Sequence, residues 1–290
     1  MGEREAAPAF EELALVRSRI ADRLAEVSSS LAVMSGKGGV GKSLVAVNLA
    51  IALARRGARV GILDADLNSP SVAKMLGLRG RPLCVGPSGV RPVGGPLGLA
   101  VQSMDFFLQS NEPLAWDGPA GEGAPFRSAL EDAALGDLLG ETEWGELDVL
   151  LIDLAPGPDR LPALARLLPG LSGALAVAIP TEVSLLAVER GVRRACEARV
   201  PLLGVVENLG SGVCRRCGAE VALFQEASVE ASARALDLEL LARIPFDPAL
   251  AAAADAGRPL ERGDAPAVRA FEVLADRVSA FVERERAAAC

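Results

Sequence analysis

The chain has 290 residues, of which 50% are hydrophobic and only 3% aromatic, and its formal net charge is −8. This length suits one large α/β domain or two smaller ones, and an acidic chain with few stacking aromatics is unlike a nucleic-acid binder. The sequence contains no histidine and no tyrosine. Catalytic units and metal sites that depend on histidine are therefore excluded.

The sequence also indicates where the protein works. No apolar stretch reaches the ~18–20 residues that a membrane-spanning helix needs. The N-terminus lacks the basic segment and apolar core of a secretion signal. An odd number of cysteines, five, without an export signal favours a reducing compartment. We therefore expect a cytoplasmic protein that binds neither membrane nor nucleic acid.

The predicted elements begin with an amphipathic helix over residues 10–27, which has Leu13, Val16, Ile20 and Leu24 on one stripe. Short apolar runs then alternate with helical stretches. These runs cover residues 31–34, 58–64, 99–104, 147–153, 173–179 and 201–208. Near-continuous apolar strands separated by helices indicate a parallel sheet covered on both faces. We expect a doubly wound, mostly parallel α/β fold that binds its ligand at the carboxyl ends of the strands.

Two segments rich in glycine and proline, residues 77–98 and 111–125, are predicted as loops. Residues 266–286 predict a closing helix, in which four acidic and four basic residues balance. Because a helix that binds membrane surfaces is distinctly basic, we expect this one to pack on the sheet. We divide the chain into an N-terminal helical extension, residues 1–30, and a main α/β domain, residues 31–290.

A phosphate-binding pattern, G-x-x-x-x-G-K-S/T, lies between the first apolar run and the next helical stretch. Its glycines let successive backbone N–H groups face phosphates at the positive end of the following helix. Lys42 is expected to neutralise the outer phosphates of ATP, and the Ser43 hydroxyl to bind Mg²⁺. The predicted nucleotide site comprises Gly36, Lys37, Gly38, Gly39, Val40, Gly41, Lys42 and Ser43.

Aspartates follow two of the predicted strands. Asp64 and Asp66 come after the second run, and Asp153 ends a later one. Hydrolysis of a phosphoanhydride needs one carboxylate near Mg²⁺ and another that orients water, because positioning and charge neutralisation supply most of the catalysis. Asp66 and Asp153 are the candidates for these two roles, and Asp64 is a further candidate metal ligand. Taken alone, any of these aspartates is as often a cap or turn residue.

The loop contains an unusual second lysine. Only three of the 30 basic residues are lysine, and two of them, Lys37 and Lys42, lie in this loop. The loop resembles the deviant Walker A sequence, K-G-G-x-G-K-S/T, of the MinD/ParA/nitrogenase-iron-protein superfamily. In that class the first lysine, matched by Lys37, reaches the partner subunit's nucleotide across a dimer interface. The resemblance implies a homodimer in which Lys37 has a catalytic role.

Further motifs resemble the Mrp family of ATP-binding iron–sulfur cluster carriers, which includes ApbC. They are LDADLNSPSVAKMLG, PLAWDGP, WGELDVLLIDLAPG, IPTEVSLLAVERG, PLLGVVENLGSGVCRRCG and RIPFDPALAAAADAGRPL. The resemblance implies that Asp66 activates water, Asp153 supports Mg²⁺ and Asn208 hydrogen-bonds adenine. It also implies that Cys214 and Cys217 bind a 4Fe–4S cluster.

The sequence departs from the family pattern at several positions. Ser69 replaces a glycine in the segment after the second strand. Arg160 stands where the family has aspartate, and Asp117 where it has arginine. These changes fall in the segments that respond to nucleotide in the family, so we expect slow or altered ATP turnover.

The chemistry of the C-x-x-C pair can also be argued from its ligands. Cys214 and Cys217 give two thiolates, whereas an iron–sulfur cluster or tetrahedral Zn²⁺ takes four ligands. The other cysteines, Cys84, Cys196 and Cys290, are isolated in the sequence. A two-fold axis would supply the second pair from an identical chain. A structural zinc clip and a redox-active dithiol remain alternatives.

Together these features predict an ATP-binding, weakly ATP-hydrolysing homodimer that carries a 4Fe–4S cluster and transfers it to apoproteins, with scaffold proteins as further partners. One alternative is a MinD- or ParA-like positioning ATPase. Another is a nucleotide-gated regulator that holds zinc in a shared site of four cysteines.

Overall fold

The computed structural model describes residues 3–108, 124–213, 216, 220–224, 227–258 and 263–289. Its helices are α1 (Glu3–Arg23), α2 (Lys42–Arg55), α3 (Val72–Met75), α4 (Ala124–Gly140), α5 (Arg160–Leu167), α6 (Glu182–Glu197), α7 (Val229–Ala235), α8 (Pro248–Asp255) and α9 (Pro266–Ala289). Its strands are β1 (Ser30–Met34), β2 (Val60–Ala65), β3 (Cys84–Gly86), β4 (Gly89–Arg91), β5 (Val93–Gly94), β6 (Ala100–Ser103), β7 (Val149–Leu154), β8 (Gly173–Ala178), β9 (Leu202–Val213), β10 (Glu220–Ala222) and β11 (Leu240–Phe246).

The described strands form a nine-stranded main sheet with the order β10-β9-β8-β1-β7-β2-β6-β5, and β11 also pairs with β9. The strands from β11 through β9, β8, β1, β7 and β2 to β6 run parallel. Only the short strands β5 and β10 pair with this set in the antiparallel direction. The predicted doubly wound, mostly parallel α/β fold is confirmed.

Alternate residues of the central strands face two different helical layers. In β1, Leu31 and Val33 pack with residues of α2 and α9, whereas Ala32 and Met34 pack with residues of α1, α4, α5 and α6. Strands β1, β2, β7 and β8 are buried along their whole length. This two-sided burial explains why their sequences read as continuous apolar runs.

The helices near the two ends of the chain both contribute to these layers. Helix α1 starts and ends earlier than the predicted helix, and it contacts α4 and α5 while Ile20 reaches the core. Helix α9 contacts β11 and α2, and Phe271, Leu274 and Val278 are fully buried. In the part of the chain that the structure describes, no helix has the length and apolar character needed to cross a bilayer.

Three parts of the predicted fold need correction. Residues 77–98 are not all loop, because β3 and β4 form a hairpin there and β5 adds to the sheet edge. Their glycines and prolines lie in and between very short strands, which sequence patterns do not separate from loops.

Strand β11 was not predicted, since Pro245 weakens its pattern, yet it lies at a sheet edge where proline is tolerated. Strand β9 extends beyond its predicted end to Val213. Most of the predicted loop at residues 111–125 lies outside the described residues.

Candidate functional site

The phosphate-type loop lies at the carboxyl edge of the sheet, between β1 and α2. Gly39 and Gly41 both have φ of +80°, a conformation that glycine adopts without strain. Lys42 is the first residue of α2, and no side chain caps that helix. The first N–H groups of α2 and its positive dipole end are therefore available to an anion.

Two neighbouring elements hold this loop in place. At Gly36 a methyl group would lie 2.3 Å from the carbonyl carbon of Ala187, so α6 packs directly on the loop backbone. At Gly41 a methyl group would lie 2.2 Å from Nδ2 of Asn208. That same Nδ2 donates a hydrogen bond of 2.8 Å to the carbonyl of Val40. Asn208 thus supports the loop from β9.

The Asn208 side chain is fully buried in this structure, and its Oδ1 has no hydrogen-bond partner among the described residues. A buried amide oxygen without a partner is costly and marks a position where a donor group would be favourable. Contact between Asn208 and adenine stays a prediction. What the structure shows is the support that this side chain gives to the phosphate loop.

Lys42 and Asp153 form a buried ion pair at the centre of the site. Lys42 Nζ lies 2.5 Å from Oδ1 of Asp153, and their side chains are only 6% and 0% exposed. The same ammonium donates to the Ser43 hydroxyl over 3.3 Å. Three predicted site residues from two distant parts of the sequence therefore meet here.

Asp64 organises the loop that follows β2. Its Oδ2 accepts hydrogen bonds from the backbone N–H groups of Ser71 (2.8 Å) and Val72 (3.0 Å) and from the Ser103 hydroxyl (3.3 Å). Its Oδ1 accepts from the N–H of Asp66 over 3.2 Å. The carboxylate therefore already holds the loop backbone, and the predicted role of Asp64 towards Mg²⁺ stays a prediction.

The carboxylates of Asp64 and Asp153 lie on neighbouring strands and are paired in register. Burial, reinforced by the charge of Asp153, raises the pKa of Asp64 to about 7. Burial also raises the pKa of Asp153, although the Lys42 ammonium opposes this effect. The site thus concentrates more negative charge than Lys42 alone neutralises, which is an environment that favours a cation.

Two loops lie at this edge: the β2 loop, residues 66–71, and the β7 loop, residues 155–160, which ends at the first residue of α5. In the β7 loop, the N–H of Gly157 donates to the carbonyl of Ser35 over 3.0 Å, and its φ is +124°. In the β2 loop, the Asp66 carboxylate accepts from the N–H of Ser69 over 3.2 Å. Asp66 is close enough for its charge to raise the pKa of Asp153. The β7 loop therefore contacts the start of the phosphate loop, and the β2 loop places Asp66 near Asp153.

Lys37 lies at the turn of the phosphate loop and is half-buried. Its carbonyl accepts a hydrogen bond of 3.1 Å from the Ser35 hydroxyl. In the ranges that the structure describes, its ammonium takes part in no ion pair, in contrast to that of Lys42. The two lysines of the loop thus have different environments.

The residues present fit a nucleotide with Mg²⁺. One oxygen of Asp153, Oδ2, is buried without a hydrogen-bond partner among the described residues. A methyl group at Gly39 would meet no atom within 4 Å, so the loop is open above this glycine. The Ser43 hydroxyl and the Asp153 carboxylate are hard oxygen donors, the type that Mg²⁺ prefers.

The predicted cysteine pair cannot be placed in the same way, because Cys214 and Cys217 lie outside the described residues. Strand β9 reaches Val213, and β10 returns antiparallel beside it, with Glu220 opposite Val213. Cys84 and Cys196 are exposed free thiols on separate elements.

Sequence reasoning missed one group at this edge, a buried glutamate. Glu131 of α4 is 6% exposed and accepts hydrogen bonds from Asn68 and from Arg160. A single glutamate in a helical stretch has no distinguishing pattern. The only available signal was its partner Arg160, which stands where the family has aspartate.

Comparison with known proteins agrees with this geometry. The family described as ParA-type NUBPL iron-transfer P-loop NTPases matches residues 26–279. Proteins named iron–sulfur cluster carrier protein from Saccharolobus solfataricus and Methanocaldococcus jannaschii are 39% and 36% identical to the chain. Both alignments cover 94% of this chain, and they cover 90% and 92% of the two relatives.

Two solved structures are also similar to the chain. A nucleotide-binding protein from Archaeoglobus fulgidus, determined in complex with ADP, superposes with a TM-score of 0.71 at 35% identity, over 83% of this chain and 91% of that one. The cell-division ATPase MinD of Pyrococcus furiosus superposes with a TM-score of 0.58 at 22% identity, over 88% of this chain and 100% of that one, which shows a shared fold. The chain therefore belongs to the ParA-type NUBPL iron-transfer family of P-loop NTPases.

Proposed function

We propose that two copies of this chain bind and slowly hydrolyse ATP, and that together they carry a 4Fe–4S cluster to apoproteins in the cytoplasm. The observation that supports this most directly is the complete phosphate loop with its buried Lys42–Asp153 pair, in a chain of an iron-transfer family. The C-x-x-C pair provides the soft ligands that such a cargo requires.

The nucleotide chemistry follows from the charges at the site. When phosphates bind, Lys42 can exchange its contact with Asp153 for the phosphate oxygens, since both partners are anionic. Ser43 and the released Asp153 carboxylate would then hold Mg²⁺, whose charge neutralises the phosphates. The loop N–H groups orient the phosphate chain, and Lys37 would reach the nucleotide of the partner subunit.

Asp66 is proposed to orient the attacking water. We expect Asp66→Asn to bind ATP with near-parental affinity, because the amide keeps an oxygen that can accept from Ser69. Turnover should fall by about 10²–10⁴-fold, the usual contribution of a general base. Steady-state phosphate release and equilibrium binding of ATP measure the two effects separately. Turnover at the parental rate would remove Asp66 from the chemistry.

The cargo site is proposed to form between the two subunits. Each chain supplies Cys214 and Cys217, so four thiolates meet only when the loops face each other across a two-fold axis. A cluster held in this way is shared by two surfaces and can leave when they separate. Recipient apoproteins then accept it by offering their own thiolates, and scaffold proteins could load it by the reverse exchange.

Anaerobic reconstitution tests this function. The protein is supplied with ferrous iron and sulfide, and visible absorption, iron, sulfide and zinc per chain are measured. One cluster per two chains is expected, followed by transfer that restores activity to an apoprotein requiring a 4Fe–4S cluster. If the protein retained only zinc and accepted no cluster, the nucleotide-gated zinc regulator would be the better description.

A further inference from the structure

Glu131 connects the two loops that border the nucleotide site. Its Oε1 accepts a hydrogen bond of 2.8 Å from Nδ2 of Asn68, in the β2 loop. Its Oε2 accepts a hydrogen bond of 2.6 Å from Nη1 of Arg160, in the β7 loop. One carboxylate on α4 therefore bridges two loops that are far apart in the sequence.

The carboxylate at the centre of this bridge is buried. The Glu131 side chain is 8% exposed, whereas that of Arg160 is 35% exposed, so the ion pair is shielded from solvent on the glutamate side. A cavity of about 20 Å³ beneath it is lined by both residues, by Asn68 and by apolar side chains that include Leu67 and Leu154. Hydrogen bonds to charged groups in such an environment are shorter and stronger than those between neutral groups.

Each bridged loop also contacts the nucleotide site. The β2 loop contains Asp66, and Asn68 is two residues further on. The β7 loop contains Gly157, whose N–H is bound to Ser35 at the base of the phosphate loop. A movement of either loop on nucleotide binding would therefore alter a hydrogen bond to the same Glu131 carboxylate.

We propose that Glu131 is a positioning residue that couples the β2 and β7 loops, so that Asp66 and the β7 loop reach their positions at the nucleotide together. This proposal rests on the proposed ATP hydrolysis. The ion pair depends on a residue at which this chain departs from the family pattern, because Arg160 stands in place of an aspartate.

Hydrogen exchange of the nucleotide-free protein tests the bridge without any requirement for ATPase activity. Glu131→Ala should increase amide exchange in residues 66–71 and 155–160 together. Asn68→Ala should affect mainly the first segment and Arg160→Ala mainly the second. The matched control is Asp132→Asn, which weakens the neighbouring ion pair between Asp132 of α4 and Arg166 of α5, 2.9 Å apart. If Glu131→Ala changed exchange no more than this control, no such bridge would exist.

ATP hydrolysis then tests the positioning role. Glu131→Ala and Arg160→Ala should each lower kcat by about ten- to a hundredfold with little change in KM, since misplacement of catalytic groups acts on the transition state. The double variant should be no worse than Glu131→Ala alone, because Glu131→Ala already removes the contact with Arg160. Arg160→Lys keeps the charge and should retain more activity than Arg160→Ala.

The possible outcomes separate this proposal from the proposed function. A parent protein without ATPase activity would contradict the proposed hydrolysis, while hydrogen exchange would still decide the bridge. An active parent with unchanged kcat in Glu131→Ala, or additive losses in the double variant, would overturn the coupling. The coupling would also be overturned if the variants lost ATPase activity only in proportion to a lower melting temperature, with KM and kcat affected equally. Glu131 would then have a purely structural role.

Discussion

Lys42→Ala is expected to abolish ATP binding at ordinary concentrations, whereas Lys37→Ala should still bind ATP and lose most of its hydrolysis. Removing Lys42 deletes the charge at the phosphates and also leaves Asp153 buried without its ion-pair partner. Loss of hydrogen bonds to charged groups at about 1.5–3 kcal/mol each predicts an affinity lower by a hundredfold or more. Equilibrium titration with a fluorescent ATP analogue measures this affinity.

The Lys37 variant distinguishes phosphate binding within one subunit from the proposed contact with the partner subunit's nucleotide. Lys37 forms no ion pair within the described part of the chain, and its proposed target is the partner subunit's nucleotide. Its loss should reduce kcat by about 10²–10³-fold, as for removal of one donor to the transition state. The remaining lysine, Lys74, is exposed on α3, and Lys74→Ala serves as the control. Equal loss of ATP affinity in the Lys37 and Lys42 variants would contradict a role across the interface.

Cys214→Ser and Cys217→Ser should each remove nearly all bound iron. If the cluster lies on a two-fold axis, either change replaces two of its four ligands, because the symmetry repeats the mutation. A hard hydroxyl replaces a soft thiolate poorly in an iron–sulfur or zinc site. Iron, sulfide and zinc per chain are measured together with the mass in solution. ATP affinity should remain near the parental value, since the phosphate loop is a separate segment.

The other cysteines supply the controls. Cys84 and Cys196 are exposed and lie on β3 and α6, and their serine variants should keep the cluster, as should Cys290→Ser. Four irons on every monomer would contradict a shared site. Metal that persists in the Cys214 and Cys217 variants would show that other ligands hold it.

Sequence patterns predicted the fold and the phosphate loop because both depend on residues that are close together in the sequence. Buried strands read as apolar runs, and the glycines of the phosphate loop follow from its backbone geometry. The proximity of Lys42 and Asp153 was also predictable, since parallel strands bring their carboxyl ends to one edge. The sequence motif and the observed ion pair therefore agree.

The remaining features depend on contacts between distant segments. Nothing near Asn208 in the sequence indicates that its amide supports Val40, and Glu131 gains its meaning only when two loops converge on it. Asp64 was assigned to the metal from its position at a strand end, while its carboxylate accepts hydrogen bonds from the loop that follows it and from Ser103 of the neighbouring strand β6. Such roles are set by tertiary structure.

Strand β9 connects the phosphate loop to the segment that contains the C-x-x-C pair. Asn208 supports the phosphate loop from the middle of this strand, and Val213 ends it immediately before the C-x-x-C pair. At about 3.3 Å per residue, the five residue steps from Asn208 to Val213 span up to ~17 Å. A change in the number of residues after Val213 should leave the phosphate loop untouched. An insertion between Asn208 and Val213 should displace the cysteine pair relative to the phosphate loop, so the length of this strand sets the separation of the two sites.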